Sequence, residues 1–93
     1  MVRHIVMWKF QPGTEQRQEE FFKGLRGLLG VVPQLKSCQV IRGERAGNCD
    51  AALLAEFDSM EDLEAYLADP RHKAVSALCK AIRTDRAAVD FTV

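Results

Sequence analysis

The chain has 93 residues, of which 47% are hydrophobic and 28% charged, and 13 basic side chains balance 13 acidic ones. This size and composition predict one globular domain that spans residues 1–93. A net charge of zero argues against a nucleic-acid partner, because such a surface needs a basic excess to neutralise phosphates. No stretch approaches the roughly 18 apolar residues of a membrane span, and the N-terminus lacks a secretory signal pattern. We therefore expect a cytoplasmic protein with no membrane partner.

The number and spacing of the cysteines also indicate the cytoplasm. Cys38, Cys49 and Cys79 are odd in number and show no Cys-x-x-Cys spacing, a usage typical of reduced thiols in a cytosolic protein. A zinc site would need a histidine brought in from a distant part of the chain. No metal site is therefore predicted.

The first half of the chain predicts a strand, a helix and a second strand. Arg3 to Phe10 is rich in β-branched and aromatic residues, as strands are. Thr14 is expected to cap a helix that runs to about Gly30 and carries one apolar stripe. Glycines inside this helix lower its propensity and suggest close packing against the sheet. Val32-Pro33 should end the helix, and Lys36 to Arg42 is the second predicted strand.

The second half repeats this order. A polar turn at Gly43 to Asn48 leads into a predicted third strand, Ala51 to Phe57, and the chain closes with a fourth, Arg86 to Thr92. Strand–helix–strand thus occurs twice in succession. This order predicts a ferredoxin-like βαββαβ fold of the α+β class, with a four-stranded antiparallel sheet and helices on one face.

Between the third and fourth strands the sequence predicts two helices separated by a sharp break. Ser59 is the expected cap of the first, with Asp62 three residues later as an approximate capping box. Pro70 stops this helix and suits the first position of the next one, for which Asp69 is the cap. Tyr66 and His72, which can both move protons, flank the break.

The strands carry apolar side chains on both faces, although helices can cover only one. Four strands of about six residues expose roughly 400 Å² of sheet on the uncovered face. Monomers rarely leave a larger apolar patch open to water. The residues expected on this face are Ile5, Met7, Ile41, Ala52 and Leu54. A homodimer that pairs two copies through the sheet face is therefore predicted, and Asp90 and Arg86 are placed at its rim.

Several motifs, in order along nearly the whole chain, resemble the stress-responsive A/B barrel (Dabb) domain family. They are Arg3-His4-Ile5-Val6-Met7-Trp8-Lys9-Phe10, Val32-Pro33-Gln34-Leu35-Lys36, Glu56-Phe57-Asp58-Ser59, Leu63-Glu64-Ala65-Tyr66-Leu67, Pro70-Arg71-His72 and Val89-Asp90-Phe91. The chain departs from the family pattern at Asp69, where histidine is frequent, and at Cys49-Asp50-Ala51, which replaces Tyr-Thr-His. The resemblance implies a dimeric α/β barrel in which two sheets pack face to face. Some relatives hold a cation on backbone carbonyls at the place of Leu29 to Val32.

The resemblance also implies candidate site residues. A plant polyketide cyclase of this family performs a cofactor-free intramolecular aldol cyclisation, and His4, Tyr66 and His72 match its proton-handling residues. As an enzyme, the chain would use His72 as base, Tyr66 as donor and His4 as orienter. Their expected pocket lies between helices and sheet, with apolar walls as small-ligand pockets have. The residues expected to line it are Trp8, Phe22, Leu25 and Phe91.

Three functions remain open from the sequence. The first is a dimer that binds a small apolar molecule or acts in stress protection without turnover. The second is a cofactor-independent cyclase or isomerase that abstracts a proton next to a carbonyl. The third is a structural or assembly module. No cofactor is predicted, since no dedicated phosphate loop is present, although dimeric barrels of related shape bind haem.

Overall fold

The computed structural model describes residues 1–93 and confirms the ferredoxin-like fold. Its elements, in chain order, are β1 (Val2–Phe10), α1 (Glu15–Arg26), β2 (Ser37–Arg42), β3 (Ala51–Phe57), α2 (Met60–Ala68), α3 (Pro70–Lys80) and β4 (Arg83–Thr92). The four strands form one antiparallel sheet in the order β2-β3-β1-β4. The central strands β1 and β3 therefore lie between two edge strands.

The register of the sheet decides which side chains meet. His4 on β1 lies opposite Ala55 on one side and Asp90 on the other, and Trp8 lies opposite Ala51 and Arg86. Residues paired in this way point to the same face of an antiparallel sheet. The even-numbered residues of β1 and β4 thus share the helix-covered face at these positions, with Asp90 directly beside His4.

The hydrophobic core fills the space between this face and the helices. It contains 18 buried residues, centred on an aromatic group in which the Trp8 and Phe21 rings meet edge to face at 5.0 Å. Phe10 and Phe22 complete the group, with ring centroids 5.8 Å apart. On β1 the predicted inner face is confirmed: His4, Val6, Trp8 and Phe10 are all buried.

The first helix differs from its predicted form at both ends. It ends at Arg26 rather than near Gly30, and the turns that follow are bridged by bonds such as Leu28 N–H to the Leu25 carbonyl, at 3.1 Å. The predicted side-chain cap was also wrong. Thr14 makes no capping bond. Its hydroxyl donates to the Gln11 carbonyl at 2.6 Å and accepts from the Gln18 side-chain amide at 2.9 Å instead.

The break between α2 and α3 is confirmed. The backbone N–H of Asp62 donates to the Ser59 hydroxyl at 3.1 Å, and the N–H of Arg71 donates to the Asp69 carboxylate at 2.8 Å. Pro70 occupies the first turn of α3. These caps stop one helix and start the next within two residues, so the chain turns sharply just before His72.

The opposite face of the sheet is open in the single chain. Its exposed large apolar residues are Met7, Ile41, Leu54 and Val89, in agreement with the predicted patch. By its register, β4 adds Val89 opposite Ile5 and Ala87 opposite Met7. None of the helices is both long and apolar enough to cross a membrane.

Candidate functional site

A small cavity lies between the sheet and the helices, next to the break between α2 and α3. Its volume is about 40 Å³. Its apolar walls are Val6, Trp8, Phe21, Leu25, Leu53 and Leu67. Its remaining walls are His4, His72, Ser76, Cys79, Arg83 and Arg86. Polar and apolar groups thus share the cavity in nearly equal number.

His4 is fixed in the wall by a carboxylate on the neighbouring strand. Its side chain is only 4% exposed, and its Nδ1 is hydrogen-bonded to an Asp90 carboxylate oxygen. With Nδ1 held by Asp90, Nε2 is the nitrogen left for a group in the cavity. A carboxylate in this position orients an imidazole and stabilises its cation, as in catalytic dyads.

His72 reaches the cavity from the first turn of α3. Its Nδ1 is buried and has no hydrogen-bond partner. Burial lowers the pKa of His72, and the nearby charges of His4 and Arg86 lower it further, against opposing effects of the Leu67 carbonyl and Asp69. This imidazole is therefore neutral near pH 7, the form in which histidine accepts a proton.

Tyr66 lies directly behind His72 rather than on the cavity wall. Its ring centroid is 4.4 Å from that of His72 and 5.0 Å from that of Phe57. The side chain is fully buried, its hydroxyl has no hydrogen-bond partner, and burial raises its pKa. A buried hydroxyl without a hydrogen-bond partner destabilises the folded state. The structure brings Tyr66 to His72, but it does not bring the tyrosine to the cavity wall.

The apolar walls agree only in part with the sequence prediction. Trp8 and Leu25 line the cavity as expected. Phe22 does not, since it packs against Phe10 under the guanidinium of Arg42, 4.8 Å from its ring centroid. The neighbouring Phe21 takes that place. The two adjacent phenylalanines occupy different parts of the core, which the helical stripe alone did not distinguish.

The prediction also placed Phe91 on the wrong side of the sheet. Phe91 pairs with Arg3 across the β1–β4 ladder and lines a depression on the open face with Ile5 and Leu54. Asp90 and Arg86 were assigned to the dimer rim, whereas Asp90 bonds His4 and Arg86 lines the cavity. The error has one cause: the inner face of β4 is the even-numbered one, which only its pairing with β1 reveals.

The volume of the cavity is far too small for a drug-sized ligand. Its volume of about 40 Å³ has room for a few waters at most, at about 10–15 Å³ each. Pockets for drug-sized molecules measure about 300–1,000 Å³. The predicted apolar pocket is thus smaller and more polar than expected.

No group of three or more His, Cys, Asp or Glu side chains is arranged to hold a metal ion. In the turn after α1, where relatives were expected to hold a cation, the Val31 carbonyl accepts a hydrogen bond from the Arg71 guanidinium at 3.2 Å. This carbonyl therefore already has a cationic partner within the chain.

A model of one protein family, the stress responsive A/B barrel domain, matches residues 2–93. The chain belongs to the stress-responsive A/B barrel domain family. The family resemblance of the sequence motifs is thereby confirmed over the length of the domain.

Individual relatives of this A/B barrel domain support the assignment. Olivetolic acid cyclase from Cannabis sativa is 28% identical over 76 residues, covering 76% of this chain and 75% of the relative. A dimeric ferredoxin-like protein of unknown function from Thermobifida fusca is 30% identical, with a TM-score of 0.87 over 99% of this chain and 90% of the other. A dimeric protein with a ferredoxin-like fold from Bacteroides fragilis is 24% identical, with a TM-score of 0.88 over 99% and 95%. Dimers therefore recur among structures with this fold.

Proposed function

We propose that this protein is a homodimeric, cofactor-independent enzyme that moves a proton at a carbon next to a carbonyl group. The observation that carries the proposal is the pair of imidazoles on one cavity. His72 is partly buried, which lowers the pKa of its imidazole, whereas His4 is bonded to the Asp90 carboxylate. Two histidines held in different environments on the wall of one small space suit proton removal and proton donation at neighbouring atoms.

In this proposal His72 is the base. Its neutral imidazole takes the proton from the carbon, and the negative charge develops on the carbonyl oxygen. Asp90 holds Nδ1 of His4, and whenever the ring carries a proton on both nitrogens its Nε2–H donates to this oxygen. Tyr66 packs on His72 and restricts its orientation. This assignment moves the donor role, given to Tyr66 from the sequence, to His4.

The size of the cavity supports this chemistry better than storage of an apolar molecule. About 40 Å³ suits the reacting end of a substrate but not a large apolar ligand. The similarity to olivetolic acid cyclase supports carbonyl chemistry as well. Cyclisation and isomerisation both begin with such a proton transfer, so the two reaction types share this site.

The homodimer is proposed to form through the open face of the sheet. Val89 is 53% exposed and Leu54 37% exposed on that face, and relatives of the same fold are dimeric. Pairing two copies would cover both apolar faces at once. The cavities would lie on the other side of each sheet.

The proton transfer is tested by deuterium uptake, which requires no knowledge of the natural product. The protein is incubated in D₂O with short ketones, aldehydes and thioesters, and exchange next to the carbonyl is followed by NMR. We expect exchange above the buffer rate for at least one compound. Substituting His72→Asn should reduce the protein-dependent rate about 100-fold or more, because general base catalysis contributes about 10²–10⁴-fold.

Lys73→Gln is the matched control, since Lys73 is exposed next to His72 on α3 and should exchange like the wild type. Thermal unfolding checks that both variants fold. Equal rates for His72→Asn and wild type would refute the base assignment. Binding of the compounds without any exchange would refute catalysis and leave a binding protein.

A further inference from the structure

Two arginines give the cavity a cationic side that the proposed proton transfer does not use. Arg83 and Arg86 lie at the start of β4, and both contribute to the cavity wall. Arg83 is partly buried and Arg86 is exposed, so they stand where the cavity meets solvent. Ser76 of α3, a hydroxyl donor, lines the same cavity.

Neither guanidinium has an acidic partner in the chain. The five ion pairs of the structure involve Arg3, His4, Lys36, Arg42 and Arg71 as cations. The cavity wall contains no carboxylate. On β4, Asp85 accepts a hydrogen bond from the Arg86 backbone N–H at 2.9 Å, and Asp90 is bonded to His4. The two guanidinium groups therefore border a small space, and neither forms an ion pair with a carboxylate of the chain.

The charges of both arginines reach the cavity side chains. Burial raises the pKa of the Cys79 thiol, and Arg83 and Arg86 act against that increase. Arg86 also acts on His72. Like charges that converge on one site repel each other, and an oxyanion between them removes that repulsion. Arginine is well suited to this task because its planar donors match carboxylate and phosphate oxygens.

We propose that the substrate is a short carbonyl compound that carries an oxyanion group, bound by Arg83 and Arg86 at the cavity entrance. The inference rests on the proposed function and adds the substrate class to it. The carbonyl end enters between His4 and His72, and a carboxylate or phosphate stays at the entrance beside the exposed Arg86. A long apolar chain is disfavoured, because neither the small cavity nor its cationic entrance suits one.

The proposal is tested with pairs of probes that differ in charge. The first pair is 4-oxopentanoate and its methyl ester, and the second is dihydroxyacetone phosphate and dihydroxyacetone. Deuterium uptake next to the ketone gives kcat/KM for each probe with wild type and with R83Q/R86Q. We expect the ratio of charged to neutral probe to fall about tenfold or more in the variant, since hydrogen bonds from a guanidinium to an oxyanion are among the strongest in proteins.

R17Q/R45Q is the control, because Arg17 and Arg45 are exposed, have no acidic partner and lie away from the cavity. It should keep the wild-type ratio. The single variant R86Q, at an exposed position, provides the same comparison if R83Q/R86Q does not fold. A fall for the first pair alone assigns a carboxylate, and a fall for the second pair alone assigns a phosphate. An unchanged ratio for both pairs overturns the proposal while the proton transfer stands.

Binding is measured separately, so that failure of catalysis does not decide this question. Titration of 4-oxopentanoate and dihydroxyacetone phosphate into labelled protein should shift the backbone amide signals of Ser76 and Arg86. These shifts should be lost in R83Q/R86Q and kept in R17Q/R45Q. Binding without deuterium uptake would uphold the anion site and refute the proton transfer. Identical shifts in all three proteins would overturn the anion site.

Discussion

His72 shows how one residue can be held in a reactive form by its surroundings. Burial and the neighbouring cations lower its pKa, whereas Asp69 and the Leu67 carbonyl oppose them. The net effect keeps the imidazole neutral. Its unpaired, buried Nδ1 would cost stability in a purely structural role. A neutral imidazole on a cavity wall is in the form that accepts a proton, as the proposed function requires.

We predict that NMR titration will give His72 a pKa below the ordinary value of about 6.5. Since the neutral form is the base, deuterium exchange should fall as pH drops through that lowered pKa. The unfolded chain binds the proton first, so stability should also fall as pH decreases from about 6.5 towards the folded pKa. His72→Asn should weaken this part of the pH dependence. A His72 pKa at or above the ordinary value would contradict the argument.

Asp90 makes a separate prediction. Its carboxylate holds Nδ1 of the buried His4. Asp90→Asn keeps an oxygen that accepts from Nδ1–H but removes the countercharge of the ring. A hydrogen bond to a charged group contributes about 1.5–3 kcal/mol and a neutral one about 1 kcal/mol, so the rate should fall about 2- to 30-fold. Deuterium exchange measures this loss. Asp58→Asn, at an exposed carboxylate beside Lys36, is the control, and an equal loss in both variants would rule out a specific role for Asp90.

The site was predictable from sequence where it depends on local features. His4 and His72 were identified from strand alternation, the Asp69-Pro70 break and the family motifs, and both lie on the cavity. Asp90 and Arg86 were misplaced because their roles depend on the pairing of strands far apart in the chain. The apolar positions of β4, Ala87, Val89 and Phe91, lie on the open face, so its hydrophobic pattern indicated the wrong inner face.

At the level of elements, helix boundaries were predicted correctly where a few adjacent residues set them and incorrectly elsewhere. The caps at Ser59 and Asp69 were predictable because a helix start is set by a few adjacent residues. The end of α1 was not, since the apolar stripe continues to Val32 although the helix stops at Arg26. Leu28 and Val32 lie in the turns that follow the helix and are buried there. Periodicity identified the buried residues correctly without identifying the conformation that buries them.

Gly24 marks a close approach of two helices. A Cβ at this position would lie 3.1 Å from a Val75 methyl group on α3, so the glycine packs against a helix and not against the sheet as predicted. We expect Gly24→Val to destabilise the fold by about 1–3 kcal/mol through overpacking. Urea unfolding measures the change. Val75→Ala in the same chain should recover part of it by making room.

Lys23→Val tests whether that loss comes from packing. Lys23 is exposed one residue before Gly24, so the same side chain there should change stability by less than about 1 kcal/mol, through helix propensity alone. Equal losses at Lys23 and Gly24 would show that α1 and α3 do not pack closely at this point. Because α3 carries His72, a loosened contact should also lower deuterium exchange.

In the molecule as a whole, one face of the sheet is covered by helices and the other is open to solvent. The helix-covered face holds the cavity and its histidines, and the open face presents Met7, Ile41, Leu54 and Val89 to solvent. Apolar area of this kind stabilises association when a second copy covers it. The alternation of β1, β2 and β3 predicted both faces from sequence, because each strand places successive side chains on opposite sides. On β4 the two faces were exchanged in the prediction.

A charge in the centre of the open face should therefore separate the dimer. Leu54 is on the central strand β3 and is 37% exposed in the single chain. Leu54→Asp would place two like charges near each other about a two-fold axis and desolvate both, so sedimentation should change from twice the 10.5 kDa chain to the single chain. Leu78→Asp on α3, where leucine is 42% exposed, should remain dimeric.

Wild-type protein sedimenting as a single chain at micromolar concentration would refute the shared interface, and so would two variants that behave alike. If Leu54→Asp is a folded monomer that still exchanges deuterium, each chain contains a complete site.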